Sequence, residues 1–345
     1  MSFFLAILKY SPIFLLVSSG LIYLGLAFEV DGYRAPFIQA SQLVSSHDFF
    51  IVTLRDPGYS LIQNFFAKLI RFEVFMTAFI ASSLLIKYLG FIFVNRRPSL
   101  LDVLPYLLIL GFLHEPIQIR AAMALAISFW SMILFVRNQK LWALLVLLLA
   151  ATFHASAVVF VLVFLLLWLF DRFQYKVFYV GLALVIGLSF LPTLSELLKL
   201  VGQTFNSRYL VYIDQAGQNK TGLFAYYYLF VGALTLLAAY FFKAKDAMWQ
   251  RWYQLSIASG CLSFAVLLVF HFSVNIASRL ADILLFPLTL VLGALLVQLK
   301  QEKRYFLLVL IVLGLSFYCG LRGIISYAPS MINFKSFNVP FLPFI

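Results

Sequence analysis

From Leu141 to Phe170 the chain runs for 30 residues in which His154 is the one titratable side chain. A bilayer core roughly 30 Å thick takes about 20 helical residues to cross. At about 1.5 Å per residue this run would make a helix of roughly 45 Å. It must therefore cross steeply as one helix or divide into two half-helices. A break near His154 is favoured, since non-helical backbone is tolerated at membrane depth where it lines a protein cavity.

A second polar cluster lies upstream, in GFLHEPIQIR (111 to 120). Leu100 to Leu113 supplies only 14 residues before His114, and Leu141 to Phe153 only 13 before His154, each too few for a full span. Between the clusters lie an apolar helix, Ile119 to Val136, and the charged turn RNQK (137 to 140). His114, Glu115, Arg120 and His154 are then expected to face one pocket below the same membrane surface. Proline suits the first turn of a helix, so Pro116 is expected to start the segment that carries Arg120. The positive end of that helix dipole and the guanidinium would point the same way, which makes a site for an anion. The alternative is that Arg120 pairs with Glu115, His154 is a satisfied buried histidine, and the cluster only locks helices together.

Of the 345 residues 64% are hydrophobic and 11% charged, which places the chain among all-α, polytopic integral membrane proteins. We expect a single transmembrane domain over 1–345 with about eleven spans, some short or broken: 10–28, 73–94, 100–113, 117–136, 141–153, 155–170, 177–197, 223–242, 253–272, 280–298 and 304–326. The apolar N-terminus has no small-residue cleavage site and is expected to be a retained helix. A net charge of +12 would suit nucleic acid, but the basic residues are scattered one to three at a time between apolar runs, so no nucleic-acid partner is expected. With the N-terminus in the cytoplasm and a break at His154, 14 of the 25 basic residues, Lys87 among them, fall on the inner side. An unbroken span would leave 12, so the positive-inside rule favours the break. Cys261 and Cys319 lie in apolar runs, which indicates neither a disulfide framework nor a zinc site.

Two extracytoplasmic loops are expected, at about 29–72 and 199–222. Arg34, Arg55, Arg120, Arg208 and Arg279 lie outside against the topological bias, and arginine is preferred where phosphate is held bidentately. Arg55 with Asp56 and Arg279 with Asp282 are alternatively ordinary surface pairs. The first loop holds EVDGYR (29 to 34), RDPGY (55 to 59) and an apolar helix-like stretch from Leu61 to Ile70, expected to lie in the interface. In the second, Tyr209 and Tyr212 are placed to stack on sugar rings or to join the interfacial aromatic belt. No H-E-x-x-H pattern, calcium ladder or nucleotide fingerprint occurs, so neither metal nor cofactor is expected. Glu29 and Asp31 form the one acidic pair worth weighing for a metal.

Taken together, Asp56-Pro57-Gly58-Tyr59, Gln118-Ile119-Arg120, Phe153-His154-Ala155-Ser156-Ala157, Arg208 to Tyr212 and Ser278-Arg279 resemble, in order, the elements of the bacterial EpsG-like and Wzy-type polysaccharide polymerases. One departure is that the family commonly shows arginine followed by glutamine, whereas Gln118 precedes Arg120 here. The resemblance implies a GT-C-like glycosyltransferase in the bacterial inner membrane, joining oligosaccharide repeat units carried on undecaprenyl pyrophosphate at the outer face. Donor and acceptor would both be lipid-linked glycans, with a flippase and a chain-length regulator as candidate partners. Its implied site has Arg120, Arg279 and Arg208 on the pyrophosphate, and His154 as the base, with Glu115 orienting or replacing it and Asp31 in reserve. Asp56, Tyr59, Arg34, Tyr212, Gln118 and His114 would contact substrate. A lipid-linked oligosaccharide flippase should instead offer charges on both sides of the midplane and internal repeats. An O-antigen ligase would differ only in its acceptor.

Overall fold

The computed structural model of the chain describes residues 16–24, 33–42, 56–95, 98–173, 223–270 and 274–332. All regular elements among them are helices, with no strand among the described residues, as lipid demands when backbone polar groups must be satisfied internally. The expected span 177–197 and the loop 199–222, with Arg208, Tyr209 and Tyr212, lie outside the described residues. So do Glu29, Asp31 and Arg55.

After a helical stretch at 16–24, the first long loop holds two helices, α1 (Arg34–Gln42) and α2 (Pro57–Ala67). The expected interfacial helix therefore starts four residues earlier than Leu61, at Pro57. Its polarity is inverted: Leu61 and Phe65 are exposed, while Tyr59, Ser60, Gln63 and Asn64 face inward. An outward apolar stripe suits a helix whose outer face meets lipid.

Next come α3 (Phe72–Val94), α4 (Leu100–Tyr106), a π-helical turn (Leu107–Gly111) and α5 (Phe112–Ile117). Asp102 starts α4 by accepting hydrogen bonds from Ser99 Oγ (2.8 Å) and Asn95 Nδ2 (2.8 Å). The helical backbone carries through His114, Glu115 and Pro116 and stops after Ile117, so the first polar cluster occupies the last turn of a helix that runs four residues past the expected end at Leu113. Pro116 accordingly does not open the arginine-bearing segment. The break comes at Gln118 (φ −109°, ψ 55°), and α6 (Ile119–Val136) places Arg120 at its second position.

A tight turn with Asn138 at φ 62° joins α6 to α7 (Lys140–Phe153), and Ser131 Oγ ties the pair by donating to the Ala143 carbonyl at 2.6 Å. The expected break then appears: His154 is extended (φ −159°, ψ 119°), followed by a 3-10 turn (Ala155–Val158) and α8 (Val159–Phe173).

The C-terminal half holds α9 (Leu223–Phe241), α10 (Ala247–Val269), α11 (Val274–Leu284), α12 (Phe286–Gln301) and α13 (Tyr305–Ile332). The expected 280–298 span is bent by 45° where α11 meets α12, with Pro287 in the first turn of α12. Three α10 serines serve this corner: Ser256 donates to the Pro287 carbonyl (2.7 Å), Ser263 to Ala281 (3.0 Å) and Ser259 to Leu284. Small hydroxyl residues let membrane helices approach closely and satisfy carbonyls that a bend releases. Gly293 of α12 packs so near α4 that a Cβ there would collide with the Asp102 carbonyl. Among the described residues, α3 and α6 can each cross a bilayer alone by length and composition, and the bent α11–α12 pair makes a third such unit if it counts as one span. The chain is a membrane-embedded helical protein.

Candidate functional site

The α6–α7 hairpin brings the two most telling sequence elements together by simple counting. Arg120 lies 17 residues before Arg137 and His154 lies 17 after it. With antiparallel helices of equal rise per residue, both arrive at the same end of the hairpin. Ser131 and Ala143, six residues either side of the same point, confirm the register.

Asp-Pro-Gly-Tyr supplies the third partner. Pro57 sits in the first turn of α2, where its missing N–H is of no consequence. Asp56 caps that helix in the left-handed region (φ 58°, ψ 64°), a conformation aspartate tolerates better than most residues. Gly58 is demanded by proximity: a Cβ there would strike Thr152 Oγ1 and lie 3.1 Å from Thr152 Cβ and 3.3 Å from Phe153 Cε2. The α2 helix thus docks on the last turn of α7, beside His154. We expect Gly58→Ala to destabilise the protein by about 1–3 kcal/mol, as overpacking does, and to lower turnover as α2 moves off. Thr152→Ala in the same chain should recover most of both losses in thermal unfolding and activity assays. No recovery would show that the close approach is not what Gly58 provides.

Asp56 then lies between two basic groups. Its Oδ2 accepts from Arg120 Nη1 at 2.6 Å, and its Oδ1 stands 3.8 Å from His154 Nδ1. The aspartate is 8% exposed and the other two 25% each, so the cluster is walled on one side and open on the other. Tyr33 and Tyr59 place their rings 5.6 and 5.7 Å from the Arg120 guanidinium carbon. Burial pushes the Tyr59 phenol well above its usual pKa, as do Tyr33 and Asp56, with Arg120 opposing, so Tyr59 stays a neutral hydroxyl. Tyr59 OH, Arg120 Nε and Ser156 Oγ are buried without a hydrogen-bond partner. Phe75, Phe79 and Phe153 form the apolar wall behind Tyr59.

Arg279 sits at an exposed position in the middle of α11, not at the opening of a span, because that helix begins at Val274. The same α11 packs on the 3-10 turn that follows His154. Asp282 does not lie at the surface but is fully buried, with its Oδ2 3.7 Å from His114 Nε2. Arg34 pairs with Glu73 at 2.8 Å on an exposed face. Gln118 supplies the break before α6. The expected pocket of four is thus divided: Arg120 and His154 meet at Asp56, whereas His114 faces Asp282 and Glu115 faces Lys87.

Glu115 is fully buried and accepts three hydrogen bonds. Its Oε1 accepts from Lys87 Nζ at 2.5 Å and from the Tyr106 hydroxyl, and its Oε2 from Ser83 Oγ at 3.0 Å. The proposed Arg120–Glu115 pairing is not made. Lys87 is no inner-side topological charge but a residue 2% exposed inside α3. Lys87 and Tyr33 are the site neighbours that sequence reasoning missed. An ionisable group interrupting the apolar Phe72–Val94 helix was the signal for Lys87. Tyr33 lies within EVDGYR, where the two acids are the more conspicuous chemistry. Among the described residues no group of three His, Cys, Asp or Glu is arranged to hold a metal ion.

With this geometry in place, comparison with known proteins decides the lineage: the EpsG family model matches residues 5–338. The chain belongs to the EpsG family. No curated protein and no solved structure matches it. EpsG membership points to a polysaccharide-polymerase type of function, consistent with a glycosyltransferase. The motifs noted in the sequence lie within the matched region.

Proposed function

We propose that this EpsG-family protein is a polysaccharide polymerase that joins undecaprenyl-pyrophosphate-linked repeat units at the outer face of the bacterial inner membrane. The observation that carries the proposal is the Asp56–Arg120–His154 cluster, an arginine, a carboxylate and a histidine converging beside an open side. In the reaction an acceptor sugar hydroxyl attacks the anomeric carbon of the donor. A new C–O bond forms, the bond to the pyrophosphate breaks, and the lipid carrier leaves with both phosphates. The acceptor proton passes to His154. Arg120 meets the charge that develops on the leaving pyrophosphate, where a preorganised donor contributes most, and Arg279 and Arg208 are proposed to assist it. Asp56, facing Nδ1, favours the tautomer with the proton there and leaves Nε2 as the base. Tyr59 and Ser156 offer hydroxyls to the phosphates or the sugar.

Purified protein incubated with a defined lipid-linked repeat unit should give a ladder of longer products. That ladder should persist after exhaustive chelation, since guanidinium groups supply the positive charge. A single addition onto a different acceptor would indicate a ligase, and transport without bond formation a flippase. Loss of the ladder on chelation, with recovery on adding magnesium or manganese, would shift the site to Glu29 and Asp31.

A further inference from the structure

Lys87 makes three contacts with its three ammonium protons, at Glu115 Oε1 (2.5 Å), Ser83 Oγ (2.7 Å) and the Ala122 carbonyl (2.7 Å). The first two neutralise and solvate a buried ion pair, which a charge in lipid requires. The third satisfies the last donor and also ties the lysine to a different stretch of backbone. Ala122 lies in the first turn of α6, two residues after Arg120, whereas Glu115 lies in α5 on the far side of the Gln118 break. The lysine therefore straddles the one point where the backbone between them leaves helical geometry. Two backbone bonds end at Gln118 from either side, Gln118 N to the His114 carbonyl (3.0 Å) and Ala122 N to the Gln118 carbonyl (2.9 Å), and neither joins α5 directly to α6. A cation near a helix N-terminus opposes the dipole, so dipole complementarity does not account for its place.

We propose that Lys87 is a positioning residue: by holding Glu115 and the Ala122 carbonyl together it sets the direction of the first turn of α6, and with it the seat of Arg120 against Asp56. Glu115 serves the same function as the anchor on the α5 side and does not act as a base. Tyr106 and Ser83, which complete the coordination of Glu115, belong to the same clamp. The inference rests on the polymerase proposal for its activity readout alone.

The test uses Lys87→Met/Glu115→Met in the full-length protein, which removes both charges and strands neither. Amide hydrogen exchange over Ala122 to Leu125 should speed up tenfold or more, while the middle of α7 stays as protected as in the wild type. Turnover of the lipid-linked repeat unit should fall at least tenfold. Combined with Arg120→Ala, the pair should add almost nothing to the loss that Arg120→Ala causes alone, since residues acting through one another are not additive. Should the methionine pair fail to insert, Lys87→Gln/Glu115→Gln gives a neutral, hydrogen-bonding version read in the same way. Unchanged exchange in the first turn of α6, or losses that multiply with that of Arg120→Ala, would overturn the proposal. A wild type that yields no product ladder would instead sink the polymerase reading, and exchange would still decide the role of Lys87.

Discussion

His154→Gln should leave the protein inserted, folded and able to bind lipid-linked donor, while lowering turnover by about 10² to 10⁴-fold, the usual contribution of a positioned base. The geometry makes this separation of stability from chemistry clear. His154 is a quarter exposed, sits in extended backbone between two helices, and has Asp56 at 3.8 Å from one ring nitrogen. Glutamine retains a polar head there and strands no fully buried partner, so the stability change should stay within about 1 kcal/mol, as for a modest net hydrogen bond. A histidine that merely filled space would give the reverse pattern, a drop in melting temperature with turnover per folded molecule intact. Measuring both quantities on the same preparation distinguishes the two. Wild-type turnover in His154→Gln would pass the base role to another group.

The meeting of Arg120 and His154 is legible in the sequence because it depends on two things sequence displays: an apolar pair of segments and the position of the turn between them. Asp56 enters only through a short motif, and what seats it is the missing side chain of Gly58 against Thr152, a contact 94 residues away that no local pattern shows. Glu115 adjoins His114 in the chain, yet one faces α3 and the other α11. Adjacent helical residues point about 100° apart, so sequence neighbours inside a helix need not share a pocket. The last turn of α5 thus presents these two neighbours to different helices. Lys87 shows the converse: a charge near the inner end of a span looks topological until the fold supplies a buried carboxylate. The bend at Leu285 likewise depends on α10 serines that lie about 25 residues earlier, so Arg279 looks like a helix-opening residue until the tertiary structure is seen.

Arg120→Lys should lose about 10² to 10³-fold in turnover, the scale found when one preorganised donor to a developing anion is removed, although the formal charge is kept. Three features of the site explain why charge alone does not suffice. The guanidinium carbon lies 5.6 and 5.7 Å from the centres of two tyrosine rings, surroundings that suit a planar, weakly hydrated cation better than a compact ammonium. One edge already engages Asp56 through Nη1 at 2.6 Å, while Nε is buried with no partner, so the fork has a donor to spare. A lysine ammonium lacks the fixed fork and cannot hold Asp56 and a phosphate oxygen in one rigid geometry. Because Asp56 also faces His154, the substitution should disturb the base as well as the anion site. Asp56→Asn in the Arg120→Lys background should then cost less than it does alone, a coupling visible in a double-mutant cycle of turnover. Near-normal turnover in Arg120→Lys, with the protein correctly inserted, would show that a point charge is enough and that the planar fork has no part in holding the leaving group.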